Sequence, residues 1–248
     1  MTILITGASS GIGAKLAKHY AKIATNLILV ARDEQRLKQL KDELDSYCHV
    51  EIFSIDLSNL FDVKNRFLQI KECHESFDLI ILNAGVSLGH NKEITDFEEN
   101  LTLLNTNFTS NMLIIDLLLP KLAKNSKIVF ISSLASYITM PSSIAYSTSK
   151  RAMNSYAEGL RNALYKKDIH VINIKPGFVD TPLTKKNSFK MPFFMDLDTA
   201  IKKIVYAIDT NKKEYSFPKM FYLIIKIISL LPATLKDKAI RYANFKKQ

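Results

Sequence analysis

The sequence predicts an α/β fold: a doubly wound, mainly parallel sheet with helices on both faces. Three observations lead there. Apolar runs of strand length alternate with segments of helical period along most of the chain. The runs LILVA, LIILN and IVFIS are nearly continuous in apolar residues, as parallel strands covered on both faces require. A glycine-rich turn directly follows the first strand, before a helical pattern. Right-handed crossovers then place ligands at the carboxyl ends of the strands.

The elements follow in order. Thr2–Thr6, TILIT, reads as a buried strand, and the pattern Leu16, Ala17, Tyr20 makes 11–23 a helix. Further strands are predicted at 26–31, 49–55, 77–83, 126–132 and 169–175. Helices are predicted near 33–47, 59–74, 95–124 and 145–167. Thr95-Asp-Phe-Glu98 has the form of a capping box. The chain shows no internal repeat, linker or low-complexity segment, so 1–248 reads as a single domain. Within it, 183–248 reads as a substrate lid followed by a basic, apolar C-terminal extension.

Composition narrows the class. Hydrophobic residues make up 47%, too many for a disordered chain. Cys48 and Cys73 have no metal-ligand spacing, and the histidines at 19, 49, 74, 90 and 170 show no ligand pairing, so no metal is expected. The thiols read as reduced, and the first strand starts too early for a signal peptide, so a cytoplasmic location is expected.

Two motifs carry chemistry. In the first, Gly7, Ser9, Ser10, Gly11, Ile12 and Gly13 lie between a strand and a helix. Backbone N–H groups there can point at an anion, and the helix dipole assists. Glycine serves where the backbone turns sharply and a ligand approaches it closely. In the second, Tyr146 and Lys150 stand four apart and share a helix face, with Ser133 thirteen residues earlier. A phenol with a pKa of about 10 is a poor base at neutral pH. A nearby ammonium favours phenolate, and the serine hydroxyl can donate to the same substrate oxygen.

Together these motifs resemble the short-chain dehydrogenase/reductase family in its single-domain form. TGASSGIG at 6–13 is similar to its cofactor motif, and Asn83-Ala84-Gly85 to the motif ending its fourth strand. Asn107, at the expected distance from Pro120, is similar to the asparagine of its central helix. Ser133, Tyr146 and Lys150 match its catalytic serine, tyrosine and lysine. Pro176-Gly177, followed by Val179 and Thr181, matches the segment that reaches the nicotinamide. The resemblance implies a Rossmann-type fold and NAD(P)-dependent hydride transfer between a carbonyl and an alcohol. It also implies that Lys150 holds the nicotinamide ribose and that Asn107 positions a water relaying protons to Lys150; Asn105 competes for that place. Asp56, beside Leu57, resembles the family aspartate that contacts adenine, or else caps the turn before Ser58. A homo-oligomer is expected on the same ground. An alternative is a catalytically silent NAD(P)-binding regulator or scaffold, against which the full set Asn107, Ser133, Tyr146 and Lys150 discriminates.

The end of the second strand bears on cofactor choice. The acidic position usual for NAD is Ala31, and Arg32 follows it. An arginine can pair with a 2′-phosphate through two hydrogen bonds, which favours NADP(H). Asp33 lies close, and a shift of register would restore NAD(H).

The last quarter of the chain is distinct. Residues 1–184 carry 20 Lys+Arg and 19 Asp+Glu, whereas 185–248 carry 14 and 5, a net of +9. Leu183, Phe189, Met191, Phe193, Phe194 and Met195 suggest an apolar lid and a hydrophobic or lipid-like substrate, or else packing of the lid against the core. The run Met220–Leu231, interrupted by Lys226, is too short to span a bilayer but suits an anionic membrane surface. Oligomer contacts or an acidic carrier protein are the competing uses, and no motif for nucleic acid accompanies the charge.

Overall fold

The computed structural model describes residues 1–87, 96–187 and 191–245. Seven parallel strands form one sheet in the order β3-β2-β1-β4-β5-β6-β7. They are β1 (Thr2–Thr6), β2 (Asn26–Ala31), β3 (His49–Ser54), β4 (Phe77–Leu82), β5 (Leu122–Ile131), β6 (His170–Pro176) and β7 (Glu214–Phe217). This is the Rossmann-type arrangement expected, and the order reverses between β1 and β4.

The apolar runs explain the layers. In β1, Ile3 and Ile5 face one core and Leu4 the other. Leu79 and Ile81 of β4 alternate in the same way with Ile80 and Leu82. The first core is closed by α1 (Gly11–Tyr20), α2 (Glu34–Leu44) and α7 (Leu197–Asp209). The second is closed by α3 (Leu60–Cys73), α5 (Ser110–Leu118) and α6 (Ile144–Ala163). The central strands are apolar on both faces, because both faces of the sheet are covered.

The long helix expected over 95–124 is divided. It comprises α4 (Phe97–Leu104), a π-helical turn at Asn105–Thr109 and α5. Thr95 of the expected capping box lies outside the described residues; Asp96 caps α4, accepting from the Glu99 N–H at 2.9 Å. Strand pairing in β5 begins at Leu122, where a helix end was expected, and its register against β4 slips between Phe77 and Leu79. Asn125, at φ 63°, makes the bend.

The segment after 183 is more than lid and extension. The helix α7 buries Ala200, Ile201, Ile204, Ala207 and Ile208 in the first core, and β7 pairs with β6 to complete the sheet. Two further helices, α8 (Lys219–Leu230) and α9 (Ala233–Phe245), follow. β7 is an edge strand of four residues, EYSF, with too few apolar positions for a strand pattern to stand out.

Candidate active site

A cleft of about 800 Å³ opens at the carboxyl ends of the strands, at the reversal of strand order. Most of the residues singled out by sequence meet there. Gly7, Ser9, Ser10, Gly11 and Ile12 line one part. Arg32, Leu57, Asn83, Ala84 and Gly85 line the next. Ser133, Tyr146, Lys150, Pro176, Gly177, Val179 and Thr181 complete it.

The loop at 7–13 is shaped by close approach of backbone to backbone. Gly7 has φ +67°, and a Cβ there would stand 2.8 Å from the Cα of Ala84. At Gly13 a Cβ would stand 2.2 Å from the Gly7 carbonyl oxygen. Gly13 thus lets α1 pack onto the loop rather than lining the cleft. Asn83 ties the loop to β4, its Nδ2 donating to the carbonyls of Thr6 and Gly7 at 3.1 and 3.2 Å. Ser10, at the N-cap of α1, makes no side-chain cap. The first N–H groups of α1 therefore remain for an anion in the cleft, and this fits the phosphates of a dinucleotide.

Arg32 and Asp33 separate in role. The Asp33 carboxylate caps α2, accepting the Arg36 N–H at 3.0 Å, and pairs with the Arg36 guanidinium at 3.2 Å. Among the described residues Arg32 makes no ion pair and lies exposed at the cleft edge. Arg36 also lines the cleft. Sequence reasoning missed it, although its place one helical turn after Arg32 was readable. Asp56 closes the turn before α3, its Oδ1 accepting the N–H and hydroxyl of Ser58, both at 2.9 Å.

The Ser133, Tyr146 and Lys150 side chains converge. The Ser133 hydroxyl adjoins the Tyr146 phenol, and its Oγ accepts the Ala135 N–H at 3.1 Å. The Lys150 ammonium lies 5.9 Å from the Tyr146 ring centroid and donates to the Ile131 carbonyl at 2.9 Å. Burial pulls the Lys150 pKa down to about 8. Burial also pushes the Tyr146 phenol up, opposed by the Ser133 hydroxyl beside it. The expectation from the lysine charge alone was a lowered phenol; desolvation of the closely surrounded ring outweighs it.

The π turn delivers Asn107 into the protein. Its Oδ1 accepts the Val86 N–H at 2.8 Å, and its Nδ2 donates to the Val86 carbonyl at 3.0 Å and the Ser149 hydroxyl at 3.2 Å. Ser149 in turn donates to the Tyr146 carbonyl at 2.7 Å. The Asn107 carbonyl accepts from Asn111 at 2.8 Å. Asn105 points elsewhere, to the Ser58 carbonyl at 3.2 Å. Between the two asparagines, it is therefore Asn107 that adjoins the Tyr146 helix.

A second support was missed. Asn154 accepts from the Ser132 hydroxyl at 2.7 Å and from Asn173 at 2.9 Å, and donates to Ser136 at 2.7 Å. It thereby joins α6, β6 and the Ser133 turn. The sequence signal was present: Tyr146, Lys150 and Asn154 share one face at spacing four.

This fold and site define a dinucleotide-binding α/β protein of oxidoreductase type. The family described as short chain dehydrogenase matches residues 1–191. An uncharacterized oxidoreductase of Myxococcus xanthus is 31% identical over 243 residues, covering 97% of this chain and 96% of the relative. The Dehydrogenase/reductase SDR family protein 7-like of Drosophila melanogaster is 31% identical over 189 residues, 73% of this chain and 58% of that protein. A solved short-chain dehydrogenase from Sphingobium yanoikuyae, in complex with NADPH, superposes with a TM-score of 0.80 at 25% identity over 88% of each chain. The chain belongs to the short-chain dehydrogenase family and is an oxidoreductase acting between CH–OH and C=O groups.

Proposed function

We propose that the chain is an NADP(H)-dependent oxidoreductase that interconverts a carbonyl and an alcohol on a hydrophobic or lipid-like substrate. The observation that carries the reaction is the convergence of Ser133, Tyr146 and Lys150 at one end of the cleft. When bound, the nicotinamide cofactor supplies or accepts the hydride. In the reducing direction, negative charge grows on the substrate oxygen. Ser133 and Tyr146 stabilise that oxygen by hydrogen bonds, and Tyr146 gives up its proton as general acid. Its raised pKa keeps the phenol protonated for that step. Lys150 offsets the phenolate that results, and two of its ammonium protons are left for ligand hydroxyls after the bond to Ile131. Asn107 is a positioning residue, acting on the Tyr146 helix through Ser149.

NADP(H) is favoured over NAD(H) by Arg32 just past the end of β2, with Asp33 engaged by the cap of α2 and by Arg36. The NADPH held by the Sphingobium relative supports the same choice. The hydrophobic substrate is supported by an aromatic cluster beside the cleft wall. Phe221 stacks between Phe178 and Phe193, with centroids at 5.7 and 5.5 Å, and Phe221 also abuts Gly177. Phe189 of the expected lid lies outside the described residues.

The test is a panel of ketones, aldehydes, ketoacyl thioesters and sterols, followed by NADPH absorbance. Turnover concentrated among the apolar members is expected. Cofactor-saturated protein that turns over none of them would favour the silent regulator instead.

A further inference from the structure

Met220, Leu223, Ile224, Ile227 and Leu230 recur at helical spacing along α8, and each is 42–73% exposed. No residue of α8 is buried. The helix thus turns an unbroken apolar stripe to solvent, while Phe221, Tyr222, Ile225 and Ile228 are half-buried, so that it is apolar on both sides, unlike an ordinary surface helix. Lys226, which interrupts the run in sequence, is turned to the body of the protein, 5.3 Å from the Tyr137 ring centroid. The exposed basic residues of this helical pair are Lys219 at the start of α8 and Lys238 and Arg241 on α9. Leu235 and Tyr242 extend exposed apolar surface onto α9.

We propose that this face docks on an anionic membrane surface and draws lipid-like substrate from it into the cleft. Charge complementarity selects the occupant. The pair α8–α9, 219–245, carries five Lys+Arg and one Asp, a net of +4, so pairing α8 with α8 of a second copy would bring two positive surfaces together. An anionic bilayer accepts the same stripe among its acyl chains while its headgroups meet the lysines. Among the described residues no helix is long and apolar enough to cross a membrane, so the contact is peripheral. The inner side of the same helix reaches the cleft wall. Phe221, next to Met220 in α8, stacks on Phe178 and Phe193 and packs against Gly177 of the cleft wall. The route for substrate rests on the lipid-like reading above; the docking does not.

Co-sedimentation with vesicles of phosphatidylserine and phosphatidylcholine, against phosphatidylcholine alone, tests it at low and high salt. Binding to the anionic vesicles at low salt, weakened by high salt, is expected. The double variant Leu223→Glu/Ile227→Glu should lower the partition coefficient by about ten- to a hundredfold, as loss of buried apolar side chains requires. Lys238→Glu should lower it by about fivefold. Both variants should keep wild-type turnover of a water-soluble carbonyl compound, which shows that they fold. Absence of binding to anionic vesicles at low salt overturns the docking, and retained turnover then leaves the oxidoreductase reading intact. Vesicle binding without preference for apolar substrates keeps the docking and removes the route. Conversion of a lipid-free dimer to a monomer by the double variant, seen by light scattering, would assign the stripe to self-association and overturn the proposal.

Discussion

Tyr146 stands between burial, which raises its pKa, and the Ser133 hydroxyl, which lowers it. Removing only the hydroxyl isolates the proton from the ring. Tyr146→Phe should lower turnover by about 10²–10⁴-fold while NADPH affinity, read by fluorescence titration, is retained. Lys150 offers a second handle at this scale. Its folded pKa of about 8 sets where the ammonium is lost. In the free enzyme, kcat/KM for reduction should be level near neutral pH and fall as pH rises through about 8. A profile level to pH 10 or beyond would remove the Lys150 charge from the mechanism. The pairing of Tyr146 with Lys150 was legible from spacing, since four residues is one helical turn. The sign of the phenol shift was not, because desolvation depends on surroundings drawn from distant parts of the chain.

At the scale of elements, the proposed preference for NADP(H) rests on the junction of β2 and α2. Asp33 is engaged by the helix cap and by the Arg36 guanidinium, which leaves Arg32 as the cation without an ion pair among the described residues at this edge of the cleft. Arg32→Ala should weaken NADPH binding by roughly 1.5–3 kcal/mol and leave NADH nearly unchanged. The two dissociation constants measured side by side decide it, and equal losses would sink the assignment. Sequence held the arginine and the aspartate side by side without ranking them, because a cap is made by backbone direction as well as residue type. The π turn is similar. NTNFT carries no glycine or proline to mark it, and its freed Asn107 carbonyl is satisfied by Asn111 one turn on.

Across the whole molecule, Lys150 is a buried charge maintained at the expense of stability. The sign is set by its two pKa values. Unfolded, it titrates near 10.5; folded, near 8. Its destabilising effect is therefore full below about pH 8 and vanishes as pH rises toward 10.5, where the unfolded chain binds the extra proton. Lys150→Met should stabilise the cofactor-free protein by about 1–3 kcal/mol at neutral pH while abolishing turnover. Urea midpoints should show that advantage shrinking by about pH 10. A less stable variant at neutral pH would mean that the bond to Ile131 outweighs the burial of the charge.

The chain by itself determined the six strands from Thr2 to Pro176, the glycine loop and the Ser133, Tyr146 and Lys150 set. The strands, the loop and the Tyr146–Lys150 pair rest on local periodicity and on spacings within one turn, strand or helix, and Ser133 on the match of the whole motif to a known family; such signals survive in one dimension. Only the tertiary structure decided the rest. β7 exists as a strand because β6 offers it an edge. Asn154 and Arg36 matter because of what they reach. The apolar side of α8 faces outward because Phe221 and Lys226 take the inner positions against Gly177 and Tyr137. A sequence states that a helix has an apolar stripe; which way the stripe faces depends on the residues across the contact, and those lie far away along the chain.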